Sequence, residues 1–258
     1  TVSNTTSSPP PPAPDYSFTL RAAGVSSMPL YSSYNVKIFG DTIKTEKQFE
    51  CLLGFRAREI INFENIQKTL LISDNERDIY IFDEKEKKIS GRVISFAASD
   101  PANGSEKDFI TAAAKSPDEK LFAAALKSKK TVELLTADNF QTVLSAGPGD
   151  GNIKFLYFDA KNNLYMVSSD PAGKRTGLYM ASSGLSYSKV EKISDFSLAA
   201  DSFTVDNSAA RPVFVFYNRV SGTVFSIDSA SAQSGIVVNT APQRDAPRGG
   251  CSPAQILV

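Results

Sequence analysis

Asp159, Asp206 and Asp228, with Arg211 close behind Asp206, are the side chains of this 258-residue sequence best suited to chemistry. Each stands where an apolar run meets a polar turn. Carboxylates held together could exchange protons with a substrate, and an arginine beside them could hold an anion. They come from different turns, however, and no spacing in the sequence pairs any two of them. Histidine is absent, which removes Ser-His-Asp and Cys-His catalysis, imidazole acid–base chemistry and every histidine-ligated metal. Two cysteines are too few for a structural zinc site built from four thiolates. The expectation is a chain with no catalytic residue, no cofactor and no metal.

Other local signals point the same way. The stretches "SDNERD" (Ser73–Asp78) and "FDAKNN" (Phe158–Asn163) gather oxygens that could face calcium. Neither has the spacing of an EF-hand loop, and Asp and Asn belong in turns for their own reasons. "GPGDGN" (Gly147–Asn152) is glycine-rich but lacks the Lys and Ser/Thr that follow in a phosphate-binding loop. "EKEKK" (Glu84–Lys88) reads as a solvated run at a strand exit, where charge discourages strand addition. The sequons at Asn4 and Asn103 both fall in expected loops and are candidate glycosylation sites, although Ser/Thr-rich chains acquire such triplets by chance.

The elements that must position these residues repeat. Four stretches share one plan of apolar strand, polar turn, strand, turn, strand: Arg58–Asp83, Phe109–Asp138, Ile153–Ser182 and Ser202–Asp228. Their middle strands begin at Leu70, Leu121, Leu164 and Val213, and the following strands at Ile79, Val132, Leu178 and Val224. Weaker fourth strands follow in "KKISGRVISF", "TVLSAG", "SKVEKIS" and "SGIVVN". Turns such as "SPDEK" (Ser116–Lys120), "DAKNN" and "DNSAARP" supply the residues that reverse a chain. Tyr80, Tyr165, Tyr179, Phe122 and Phe214 recur near these strands and fit core packing as well as a repeated ligand pocket. The best helical spacing, "TEKQFECLLGFRAREII" (Thr45–Ile61), contains Gly54 and fits two strands equally.

"KSPDEKLFAAAL" resembles the "SPDGK-hydrophobic" turn of β-propeller repeats of the YVTN and WD40-like type. It covers one blade well and the other three by pattern. The Trp-Asp and Gly-His pairs of true WD40 blades are absent, since the chain has neither Trp nor His. Successive repeats lie about 48 residues apart, inside the range of propeller blades. The resemblance implies an all-β propeller of about five blades; a β-sandwich or two small β domains is the alternative. "YSFTLRAAGV" and "YNVKIFGDTI" would give two strands at the front and "CSPAQILV" (Cys251–Val258) one at the back, so one composite blade from both termini would close the ring. An incomplete ring is the other reading. Closure would bring Cys51 near Cys251; a disulfide there would stabilise the fold by about 5 kcal/mol at most, the alternative being two buried thiols. In a propeller enzyme of the lactonase or lyase kind, the acids named above would gather at the channel mouth.

Residues 1–15 differ in kind from the expected propeller, residues 16–258. Pro9, Pro10, Pro11, Pro12 and Pro14, leading to Tyr16, force an extended polyproline II segment. It is either a spacer or an interaction arm, and the arm is the working expectation because a pre-extended segment loses little entropy on docking. The polar start "TVSNTTSS" is of the kind left after signal removal and also of the kind that follows a lipid anchor. Lysine plus arginine equal aspartate plus glutamate at 28 each, which leaves no electrostatic footprint for nucleic acid. No run of 18 apolar residues is present. The expected protein is a secreted, periplasmic or outer-envelope scaffold, peripheral or lipid-anchored at most, with other protein subunits as partners. A ligand- or glycan-binding propeller is the alternative, and a propeller enzyme the second.

Overall fold

The computed structural model describes residues 13–24, 29–76, 78–93, 109–149, 151–170, 172–207, 212–229 and 234–239. They form five sheets, each a meander of consecutive strands. The first holds β1 (Tyr16–Ala23), β2 (Leu30–Phe39) and β3 (Thr42–Leu52). The second holds β4 (Ala57–Phe63), β5 (Lys68–Ser73), β6 (Ile79–Asp83) and β7 (Lys88–Arg92). The third is β8 (Ile110–Lys115), β9 (Leu121–Leu126), β10 (Thr131–Thr136) and β11 (Thr142–Ala146). The fourth is β12 (Asn152–Phe158), β13 (Leu164–Ser169), β14 (Thr176–Ala181) and β15 (Val190–Phe196). The fifth is β16 (Ser202–Asp206), β17 (Val213–Asn218), β18 (Thr223–Asp228) and β19 (Ser234–Asn239). Among the described residues no helix is long and apolar enough to cross a membrane.

The chain divides into two compact units, residues 1–62 with 67–92 and residues 63–66 with 93–258. In the first, Tyr31, Leu53, Leu71 and Phe82 form the core, with Phe82 stacked on Phe49 at 5.6 Å and meeting Tyr31 edge-on at 4.7 Å. In the second, one core lies between the third and fourth sheets, where Ala123 and Ala125 meet Ile153, Leu156 and Phe158. Another lies between the fourth and fifth, built on Val167, Leu178, Phe214, Phe216 and Phe225. Strand β9, "LFAAAL", is alanine-rich and by local propensity would favour helix. Its residues Phe122 to Leu126 are all buried, so cover on both faces outweighs propensity, and the small side chains let neighbours approach closely.

A single device recurs at the outer strand pair of every sheet. The register shifts between Ser33 and Tyr34, Ile81 and Phe82, Leu134 and Leu135, Leu178 and Tyr179, and Val224 and Phe225. Such irregularities raise the local twist and blunt an edge strand against unwanted pairing. By this landmark β2–β3 matches the third and fourth strands of the other sheets. Among the described residues, no strand takes the place of a first strand beside β1 in this sheet.

The four middle strands, third strands and fourth strands lie where the repeat places them. One expectation changes and one open choice is decided. The front of the chain gives three strands, not two, because β3 continues from Thr42 to Leu52. Of the two readings of Thr45–Ile61, the strands are found, β3 and β4, with Gly54 in the bend between them. Two glycines of "GPGDGN" serve close backbone approach: a Cβ on Gly147 would lie 2.6 Å from the Lys130 carbonyl oxygen, and one on Gly151, at φ +77°, 2.5 Å from that of Ser169. Pro9 to Pro12, Asn4, Asn103, Arg211 and Cys251–Val258 lie outside the described residues, so the arm's path, both sequons, the closing strand and the pairing of Cys51 with Cys251 are not described. Cys51 itself sits half-buried on β3. The last residues of the arm are anchored: the Asp15 amide donates to the Ile38 carbonyl at 2.8 Å, and its carboxylate accepts the Gly40 amide at 2.6 Å.

Candidate functional site

The turns joining first to second strands in the second unit carry the recurrent polar chemistry. In the third sheet, the Ser116 hydroxyl meets Asp118 Oδ1 at 2.7 Å and accepts the Leu121 amide at 3.0 Å. In the fourth, Asp159 takes the same place. Its Oδ1 accepts the Lys161 and Asn163 amides at 2.9 and 2.8 Å, and its Oδ2 accepts the Asn163 side-chain amide at 2.9 Å. The Tyr165 hydroxyl approaches Oδ2 at 3.4 Å. Both turns place their fourth residue in the left-handed region, Glu119 at φ +57° and Asn162 at φ +62°. Asn tolerates that conformation; Glu119 is held there by its own contacts, accepting the Asn65 amide at 2.9 Å and pairing with Lys115. Burial alone would push the Glu119 carboxyl up, but these donors outweigh it and hold it below the usual range.

Beside the Asp159 turn lies a cleft of about 580 Å3. Pro117, Tyr157, Met180 and Pro212 form its apolar walls, and Asn163, Asn207 and Lys161 its polar ones. Tyr157 donates to the Asn207 side-chain carbonyl at 2.9 Å, which ties the fourth sheet to the turn after β16. Burial raises the Tyr157 hydroxyl above its ordinary value, with Asn207 opposing and Asp159 adding to it. The hydroxyl of Ser229, also in the lining, is buried with no hydrogen-bond partner among the described residues.

Of the acids offered for chemistry, only Asp159 reaches this cleft. Asp206 and Asp228 both pair with Val213, so they share one face of the fifth sheet with a strand between them. That separates their backbones by about 10 Å. No three Asp, Glu, Cys or His side chains converge as metal ligands among the described residues. In "SDNERD", Asn75 donates to Asp78 at 3.2 Å and Arg92 pairs with Asp78 at 3.0 Å, so these oxygens close a turn. Of the recurring aromatics, Phe122, Phe214 and Tyr165 are buried and Tyr80 and Tyr179 half-buried, all in packing positions.

Two carboxylates of the first unit escaped the sequence reading. Glu84, in the "EKEKK" run, is not solvated: it accepts from the Tyr31 hydroxyl at 2.6 Å and from Thr69, and pairs with Arg21. Glu59 stands half-buried in β4, where burial raises its pKa against the opposing charge of Arg58. An acid inside the apolar run "REIINF" is the signal that could have exposed it. Its sign is opposite to that of a salt-bridged acid. The folded state favours the protonated form, so stability falls as pH rises from the unfolded carboxylate value through the folded one. Glu59→Gln is therefore expected to raise the melting temperature at pH 7 by about 1–3 °C, the gain shrinking towards pH 4; calorimetry across that range checks it.

No protein-family model matches the chain, and no curated protein matches its sequence at a significant level. Solved structures do match. The hydrazine synthase of Kuenenia stuttgartiensis aligns over 78% of this chain and 60% of its own, with a TM-score of 0.55 and 8% identity. The Cps50 (Swd1) β-propeller domain of Myceliophteria thermophila aligns over 79% of this chain and 68% of its own, with a TM-score of 0.59 and 11% identity. The chain thus spans less than two thirds of the hydrazine synthase chain. At such identities the likeness shows the fold alone: the chain is an all-β repeat protein, a β-propeller of about five blades.

Proposed function

We propose that this β-propeller is a non-catalytic scaffold, an interaction subunit of a larger envelope or extracellular assembly. The observation that carries the reading is the engagement of Asp159. Both of its oxygens close its own turn, so the cleft beside it presents a tyrosine ring, prolines, amides and Lys161, with the carboxylate of Asp159 already engaged. Surfaces of aromatic and neutral polar groups suit recognition. The proline-rich arm supports a second contact: it enters β1 through the anchored Asp15, and a run of prolines of this kind suits docking along a neighbouring subunit at little entropic cost. The Ser/Thr/Pro-rich composition of residues 1–15 supports a location outside the cytoplasm, in the periplasm, the outer envelope or the secreted space.

Light scattering after gel filtration from the native extract tests this, on the full chain and on a chain lacking residues 1–15. The full chain should elute with a partner subunit and the shortened chain without it. Identical elution of both as partner-free species overturns the scaffold. A second reading, glycan binding, is favoured by one observation, the Tyr157 ring set beside the amides of Asn163 and Asn207. Saturable heat on titrating soluble glycans, lost in Tyr157→Ala and indifferent to the arm, would put that reading in its place.

A further inference from the structure

At the end of the first sheet that carries Tyr16 and Ile43, the side chains sort by face, whereas further along the same strands Ala23, Tyr31, Phe49 and Cys51 turn into the core. In register, Ser17, Lys37 and Lys44 line up across the sheet, as do Thr19, Asn35 and Glu46, which makes one face polar. The opposite face aligns Tyr16 with Ile38 and Ile43, and Phe18 with Val36 and Thr45. Antiparallel sheets alternate in this way when one face meets water and the other is covered. Here the apolar face is bare along its two outer strands, with Tyr16 69%, Phe18 49%, Leu20 49% and Ile43 65% exposed, while Val36 on the central strand is buried beneath them. Four of the ten exposed large hydrophobic side chains among the described residues thus lie together, which marks a patch rather than scattered exposure.

We propose that this face is a self-association surface, and that its occupant is the same face of a second copy of the chain, related by a two-fold axis. The face is a pleated sheet without a groove, so its natural complement is another sheet, packed about 10 Å away with side chains interdigitating. A two-fold pairing meets each apolar row with another apolar row. Charge does not oppose it: Lys47, at the rim, is neutralised by Glu50 at 2.9 Å, and the chain's acidic and basic residues balance. The area sets the strength. The exposed rows run from Tyr16 to Leu20, so three strands of about five residues make a footprint of about 14 by 17 Å, roughly a third of what each partner contributes to a standard stable interface. The dimer is therefore weak and reversible. The inference is independent of the arm, whose partner is a different protein.

The test is the mass of the purified full chain by light scattering from about 1 to 200 µM, the range where a small interface titrates. The mass should rise from monomer towards dimer. Phe18→Glu should weaken association at least tenfold, with Ile43→Glu as the second probe should the first fail to fold. Thr19→Glu, on the polar face of the same strand, and removal of residues 1–15 should leave it unchanged. A chain monomeric throughout overturns the proposal, as does equal loss in Thr19→Glu or loss in Tyr217→Glu on the fifth sheet. So does a full chain that dimerises only when cut after Asn239, because residues 240–258 would then be the cover.

Discussion

Asp159→Ala is expected to lower the stability of the second unit by about 3 kcal/mol, or about 6–12 °C in melting temperature. The substitution removes the one side chain that satisfies two backbone amides, Lys161 and Asn163, and the Asn163 side chain at once. Asp159 is buried, so water does not take its place freely, and each donor left without an acceptor costs its desolvation. Asn162, at φ +62°, also loses the turn that holds it in the left-handed region. Asp159→Asn keeps one carbonyl acceptor for the two amides and should cost about 1 kcal/mol. Ser116→Ala, at the equivalent place in the third sheet, should also cost about 1 kcal/mol, because its hydroxyl accepts a single backbone amide. Urea unfolding of the three variants reads the order directly. An Asp159→Ala protein that melts within a degree of the wild type would mean that the turn closes without its carboxylate. The acid would then be available to the cleft, and the scaffold reading would lose its main support.

Local chemistry explains what could be read in advance. The turns Ser116–Lys120 and Asp159–Asn163 carry their own hydrogen-bonding partners within five residues, and the strands that follow begin at Leu121 and Leu164 as the apolar pattern requires. Even the alanine run of β9 is marked as strand by its neighbours in the repeat. Identities of 8% and 11% to proteins of the same fold make the same point, since the architecture needs the period and the turns more than particular residues. The register shifts at the outer strand pairs depend on twist and on the partner strand, and leave no mark in composition. Strand β3 carries Lys44, Glu46, Lys47 and Glu50 with a near-helical spacing of apolar residues, and only its pairing with β2 decides its state. The cleft unites Tyr157 with Asn207, fifty residues on, across two sheets. Glu84 was lost in the same way: four charged neighbours suggest solvent, while its partner Tyr31 lies 53 residues away.

That partnership should be the stability centre of the first unit. Glu84→Ala is expected to cost about 2–3 kcal/mol, because it strands the Arg21 guanidinium and leaves Tyr31 only the longer contact to Thr69, whose hydroxyl turns to Asn62. Glu84→Gln keeps the acceptor without the charge and should lose about half as much. Tyr31→Phe removes one donor from a fully buried ring that still packs against Phe49 and Phe82, for about 1 kcal/mol. Alkaline pH separates this network from ordinary packing. Burial first, then the bond to Glu84, raises the Tyr31 hydroxyl far above its ordinary value of 10.0, with Thr69 and Arg21 opposing. The unfolded chain releases this proton near pH 10 while the folded chain keeps it, so the unfolded state binds fewer protons there and stability falls as pH rises. Below pH 10 both states hold the proton and the contribution is flat. Tyr31→Phe should therefore be the less stable protein at pH 8, yet lose less on going to pH 11 than the wild type does. Urea unfolding at the two pH values, with phenolate absorbance followed alongside, measures both. An alkaline loss identical in the two proteins would mean that Tyr31 titrates like an exposed phenol and that Glu84 is held by Arg21 and Thr69 alone.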